Sequence, residues 1–170
     1  MMNIEEAIFA RRSIRTFKQD EVSDEAILKL LKAAMAAPSA CNRKPWLFYV
    51  VKNKEKQMQL RQMHRYSDYD SPLIIIVCAD MRRKLGVKSE DFWIQDCSAS
   101  VENLMLEAVG LGMGTCWCGL HPIEAAKKRV VKILNMPEHV VPVALIHVGH
   151  PAEHPTPRTQ YDESLVTVIE

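Results

Sequence analysis

The chain predicts an α+β fold in three layers, a mixed central sheet flanked by helices, on three observations. Residues 73–79, Leu-Ile-Ile-Ile-Val-Cys-Ala, are apolar without interruption, the pattern of a central strand covered on both faces. Residues 89–111 repeat apolar side chains every 3.6 positions over a length that suits a core spine. The remaining candidate strands are separated by candidate helices, and helices lead the chain.

In order, Asn3 with Glu6 has the form of an N-cap and its acidic N3 partner, and Ile4, Ala7 and Ile8 then recur at helical spacing up to Arg11. Ser23 caps a second helix with Asp24 and Glu25 in its first turn; Ile27, Leu30, Leu31, Ala34 and Met35 form its buried stripe, and Pro38 stops it. Residues 47–51 are a β-rich apolar run. Residues 54–65 read as a polar helix with a modest stripe of Met58, Leu60 and Met63. Ser89, Glu90 and Asp91 open the long helix, whose stripe is Ile94, Cys97, Val101, Leu104, Met105, Ala108 and Leu111; at 1.5 Å per residue it is roughly 30 Å long. Gly110, Gly112 and Gly114 end it. Residues 115–118 are a short strand, Pro122 is placed as the first residue of a helix running towards Leu134, and residues 140–148 are the last strong strand. Residues 151–158 contain Pro151, Pro155 and Pro157 and are irregular. The tail, residues 165–169, is an apolar β-former without an assigned partner.

The length of 170 residues suits one domain, residues 1–170, and chains of this size bury roughly 70% of their unfolded surface. Basic and acidic residues nearly cancel, 22 against 21, which argues against a polyanion-binding surface and against nucleic acid as a partner. No basic leader precedes an apolar stretch, and no apolar run approaches membrane-spanning length, so a cytoplasmic protein without membrane association is expected. Five cysteines without framework spacing fit reduced thiols.

Four segments carry the chemistry. Residues 11–15, Arg-Arg-Ser-Ile-Arg, place three guanidiniums and a hydroxyl at the end of the first helix. Forked planar donors suit phosphate oxygens better than point charges do, although basic residues at a helix C-terminus also simply complement the macrodipole. Residues 38–46 read Pro-Ser-Ala-Cys-Asn-Arg-Lys-Pro-Trp, where Ser39 and Asn42 alone would be turn chemistry. Residues 112–119 read Gly-Met-Gly-Thr-Cys-Trp-Cys-Gly, and Gly149-His150-Pro151 has Arg158 close behind. Together these segments resemble the nitroreductase family of flavin enzymes, whose Arg-Arg-Ser-x-Arg-x-Phe and Pro-Ser-x-x-Asn-x-x-Pro-Trp patterns are matched at 11–17 and 38–46. Lys44 stands where the family usually has Gln.

The resemblance implies a nitroreductase-like three-layer fold and a homodimer with FMN at the subunit interface, the C-terminal strand being exchanged with the partner, though it can equally pair within its own chain. It implies that Arg11 and Arg158, helped by Arg12 and Ser13, grip the FMN phosphate. Arg15 would lie at the N1 and O2 edge of the ring, where a fixed cation stabilises the negative charge of reduced flavin. Pro38, Ser39, Ala40 and Asn42 would come from the other subunit, with Lys44 either adding positive charge near the ring or staying solvated. Cys116, Trp117, Cys118 and Gly119 would run along the ring near N5, using backbone groups more than side chains. No residue is assigned direct proton or nucleophilic chemistry.

The implied activity is hydride transfer from NAD(P)H through flavin N5 to an electron-poor acceptor, a nitroaromatic, a quinone or free flavin, by a ping-pong mechanism. The alternatives are a flavin-binding sensor or carrier without turnover and a ferredoxin-linked flavin reductase. A metal site of Cys116, Cys118 and His121 lacks the second ligand cluster that zinc sites usually have, and Cys-x-Cys is not the reactive thiol spacing. His147 reads as a sheet histidine without a role. No Gly-x-Gly-x-x-Gly follows a strand, so the nicotinamide is expected to be a transient visitor and no Rossmann fold is expected. Residues 65–71 and 82–93 are lid candidates, with Phe92 and Trp93 as aromatic walls or, equally, as packing at the start of the long helix.

Overall fold

The computed structural model describes residues 2–63, 66–86 and 91–170. Helices α1 (Ile4–Ala10) and α2 (Asp24–Met35) lead, followed by β1 (Trp46–Val51), α3 (Lys54–Arg61), β2 (Leu73–Asp80), α4 (Phe92–Gly110), β3 (Gly114–Gly119), α5 (Glu124–Leu134) and β4 (Val140–Gly149). The strands form one sheet in the order β1-β2-β4-β3. All eight residues of β2 are buried, as the unbroken apolar run requires of a central strand.

Alternation along β2 builds both halves of the core. Leu73, Ile75, Val77 and Ala79 face a cluster that includes Ile27, Leu30 and Ala34 of α2 and Cys97, Val101 and Leu104 of α4. Ile74, Ile76 and Cys78 face a second cluster with Leu60 of α3 and Ala126 and Val130 of α5. The three layers are therefore α2 and α4, the sheet, then α3 and α5. Among the described residues no helix is long and apolar enough to cross a membrane.

Several expectations are corrected. The sheet is antiparallel at every strand pairing, and the parallel contact is an isolated bridge between Ser13 and Thr115. The apolar pattern names the strands but not the direction in which each enters. The β2–β4 ladder shifts register between Val77 and Cys78, beside Pro142, which has no N–H to give to a ladder. Helix α5 begins at Glu124, so Pro122 lies ahead of it, and α3 ends at Arg61. Ser89 and Glu90, expected to open α4, lie outside the described residues; Asp91 occupies the N-cap without a side-chain hydrogen bond. The Asn3–Glu6 capping box and the Ser23 cap both form. Ile4 and Ile8 of α1 and Met35 of α2 are exposed, because no element among the described residues covers those faces. The tail forms a short 3-10 turn, Glu163–Leu165, and no ladder among the described residues, leaving Leu165, Val168 and Ile169 exposed.

Candidate functional site

The basic segment leaves α1 as an extended strap along the outer edge of β3. Ser13 bridges Thr115, and Ile14 N–H donates to the Thr115 carbonyl at 2.9 Å. Phe17 bridges Pro151, Lys18 N–H donates to the His150 carbonyl, and Ala152 N–H donates to the Thr16 carbonyl, each of these bonds 2.9 Å long. Ile14 and Phe17 are buried and pin the strap, while Ser13, Arg15 and Thr16 stay exposed. The strap thus turns its two apolar side chains inward and its polar ones outward on one short run.

The three arginines go different ways. Arg11 Nε lies 3.2 Å from Glu102 Oε1 on α4. Arg12 donates to the Thr156 carbonyl, tying the strap to the proline-rich loop. That loop brings Arg158 to the end of α1, where its N–H donates to the Phe9 carbonyl at 3.4 Å. Arg15 Nε donates to the Tyr69 hydroxyl at 3.2 Å, its guanidinium carbon lies 5.8 Å from the Tyr69 ring centroid, and its backbone N–H donates to Glu153 Oε1 at 2.5 Å. Tyr69 and Glu153 were not identifiable from the sequence as site residues. Glu153 follows the Gly149-x-Pro151 motif, the one signal that points near it.

Beyond Thr115 the outer edge of β3 carries no further strand among the described residues, since β3 pairs only with β4. Beside it opens a pocket of about 280 Å³ whose lining includes Tyr66, Trp117, Cys118, Gly119 and Ile123. Cys116 and Cys118 both point into the core layer with α3 and α5. The Cys118 thiol and then Arg15 hold Cys116 below the ordinary thiol range, whereas Cys116 and burial push Cys118 up. Cys118 Sγ also donates to the Tyr66 carbonyl at 3.2 Å. The His121 ring instead packs edge-on against Trp93, which belongs to the opposite core layer, so the three candidate metal ligands do not converge.

His147 is fully buried on β4. Its Nε2 lies 3.0 Å from the Ser67 carbonyl and its Nδ1 2.8 Å from Ser71 Oγ, and Tyr69 meets its ring edge-on. Burial pulls its pKa down to about 4. The same bonds anchor residues 66–71, so this lid candidate is a pinned loop; Arg65 lies outside the described residues. Of the second lid candidate, residues 87–90 lie outside them too, Trp93 is buried at the start of α4, and Phe92 is exposed.

The Pro38–Trp46 segment stands elsewhere. Ala40–Asn42 form a 3-10 turn, with Cys41, Asn42 and Lys44 at φ of 48°, 54° and 49°. Lys44 N–H donates to Ser39 Oγ at 3.0 Å, and Ala40 N–H donates to Asp96 Oδ1 at 2.8 Å. Trp46 pairs with Ala79 at one corner of the sheet, whereas Thr115 pairs with Val148, which pairs with Leu73, at the diagonal corner. Six residues along β2 and three strand spacings across separate those corners by roughly 25 Å. The chain therefore brings Arg11, Arg12, Ser13, Arg15, Arg158 and the 116–119 edge together and keeps Pro38, Ser39, Ala40, Asn42 and Lys44 apart from them.

The sequence model of the Nitroreductase family matches residues 8–68 and 57–150. A Methanothermobacter thermautotrophicus protein provisionally named NADH dehydrogenase/NAD(P)H nitroreductase is 41% identical over 163 residues, 95% of this chain and 84% of that one. A solved structure of the same provisional name from Parabacteroides distasonis superposes with a TM-score of 0.91 at 32% identity, covering 97% of this chain and 96% of that one. An FMN-dependent nitroreductase from Clostridium difficile superposes with a TM-score of 0.87 at 30% identity, covering 96% and 98%.

Proposed function

The chain belongs to the nitroreductase family, and on that premise we propose that it is an FMN-dependent oxidoreductase that takes hydride from NAD(P)H and reduces an electron-poor acceptor such as a nitroaromatic, a quinone or free flavin in a ping-pong cycle. The observation that carries this reading is the strap itself. It lays Arg15 along the outer edge of β3, which carries no further strand among the described residues and opens on a pocket at Cys118 and Gly119, with Arg11 and Arg158 gathered at the strap's start.

These residues fit an FMN. Bound there, FMN would supply hydride acceptance and donation. Arg11 and Arg158 would hold the phosphate with Ser13, while Arg12, already committed to Thr156, keeps the loop that carries Arg158 against the strap. The backbone edge of Cys116, Trp117, Cys118 and Gly119 would line the ring, since its outward peptide groups have no strand partner among the described residues. Arg15 would place a fixed charge where negative charge gathers on reduction.

The other half of the site, Pro38, Ser39, Ala40, Asn42 and Lys44, would come from a second copy, because roughly 25 Å of sheet separates it from the strap in one chain. Exposed Ile8 and Phe9 of α1 and Leu165 and Ile169 of the tail supply apolar surface for such a homodimer, including exchange of the tail.

Purified protein should carry about one FMN per chain and be bleached anaerobically by NADH or NADPH. Protein that takes up no flavin on titration overturns the reading, and bound flavin that neither nucleotide bleaches overturns the donor. Arg11→Ala and Asn42→Ala chains should each retain FMN poorly, yet co-expressed they should recover binding, because a mixed dimer rebuilds one intact site. Absence of recovery would show that one chain forms the site alone.

A further inference from the structure

Arg15 has a long side chain on an exposed strap, and fixing an unanchored Arg costs rotamer freedom. It is anchored twice. One oxygen of Glu153, Oε1, receives the backbone N–H of Arg15 at 2.5 Å and of Thr16 at 3.0 Å. The Tyr69 hydroxyl receives Nε of the guanidinium at 3.2 Å. Tyr69 is in turn wedged edge-on against His147, at 5.4 Å between ring centroids, and His147 is fixed to Ser67 and Ser71. A connected series of contacts thus runs from the buried sheet to the guanidinium.

The anchors leave the charge usable. Glu153 is engaged by peptide N–H groups, and among the described residues no carboxylate forms an ion pair with Arg15. Tyr69 is a neutral partner and takes only Nε, so neither terminal nitrogen of the fork is engaged among the described residues. A paired Arg would cancel its own field at the ring; a clamped one directs it.

We propose that Glu153 and Tyr69 are positioning residues that clamp Arg15 from its backbone and its side chain, and that this clamp sets how strongly the protein favours reduced over oxidised FMN. The inference rests on the reading that Arg15 faces the pyrimidine edge of the flavin. Neither residue touches the reacting atoms, and both act through Arg15. Loosening either anchor should cost reduced FMN more than oxidised FMN, because only the reduced ring presents the negative charge that a fixed guanidinium rewards.

The test is an anaerobic redox titration of FMN-loaded protein against a reference dye, with FMN dissociation constants and melting temperatures measured alongside. Arg15→Ala, Glu153→Ala and Tyr69→Phe should each lower the preference for reduced FMN, by about tenfold for the first two, which is ~30 mV for a two-electron couple. Tyr69→Phe keeps the ring on His147 and loses only the hydroxyl, so its shift should come without loss of fold. Glu153→Gln keeps an oxygen for the two N–H groups and removes the carboxylate charge that Arg15 feels, so its potential should return to the wild-type value or rise above it. A wild-type potential in FMN-loaded Tyr69→Phe and Glu153→Ala, with Arg15→Ala shifted, would overturn the clamp and leave the flavin reading intact. An unshifted Arg15→Ala overturns it as well, whereas wild-type protein that binds no FMN fails the functional reading itself.

Discussion

The buried carboxylate of Asp96 on α4 accepts the backbone N–H of Ala40 at 2.8 Å and so ties the turn before β1 to the spine helix. That turn holds Cys41 and Asn42 with positive φ, a conformation that costs L-residues energy unless surrounding bonds enforce it. Asp96→Ala would leave the Ala40 N–H without its acceptor and should cost about 1–3 kcal/mol, read as a lower melting temperature. Asp96→Asn keeps an oxygen and should cost less. If the turn completes the site of a second copy, Asp96→Ala should also weaken FMN retention, and equal retention in both variants would separate the turn from the site.

The Arg11–Glu102 pair is half exposed, so its contribution to stability should be small, within about 1 kcal/mol. Arg11→Ala should therefore leave the melting temperature almost unchanged while FMN dissociates more readily. Glu102→Ala breaks the same pair and frees the guanidinium; it should leave retention unchanged or improve it. A large stability loss in Arg11→Ala would assign Arg11 to the fold instead of the phosphate.

His147 makes stability depend on pH. Its folded pKa of about 4 lies below the ordinary imidazole value near 6.5, so the native state favours the neutral ring. The corresponding stability is complete above pH 6.5 and is lost as pH falls through the folded pKa; the shift corresponds to about 3 kcal/mol. Denaturant midpoints measured from pH 7 to pH 4 should fall steeply in the wild type and less steeply in His147→Gln. Parallel profiles would place the acid sensitivity in other groups.

The order of elements was legible because β2 is buried on both faces and α4 keeps one apolar stripe over its whole length; each pattern has one physical interpretation. The direction of strand pairing was not, since it depends on how the connections route around the sheet. Ile4 and Ile8 have a helical period, yet the period specifies a face and not whether the same chain covers it. The strap's residues were visible as a motif. Its anchors were not, because Tyr69 and Glu153 lie 54 and 138 positions from Arg15 in sequence and converge only when the loops before β2 and after β4 meet at the strap.

Gly114 tests whether the strap must lie flat on β3. A Cβ there would sit 2.5 Å from Cγ1 and 2.8 Å from Cβ of Ile14, closer than carbon atoms approach. Ile14 is β-branched and buried, so a rotamer change moves Cγ1 but cannot move its Cβ, and the strap itself must lift. Lifting it strains the Ile14–Thr115 hydrogen bond and displaces Arg15 from Tyr69. Gly114→Ala should cost about 1–3 kcal/mol and weaken FMN retention together. Ile14→Ala should cost less in the Gly114→Ala background than in the wild type, since it removes the tightest contact, that of Cγ1, and leaves only that of Cβ, and a double-mutant cycle on melting free energies reads that coupling. Additive effects would mean that Gly114 is small for a reason unrelated to the strap.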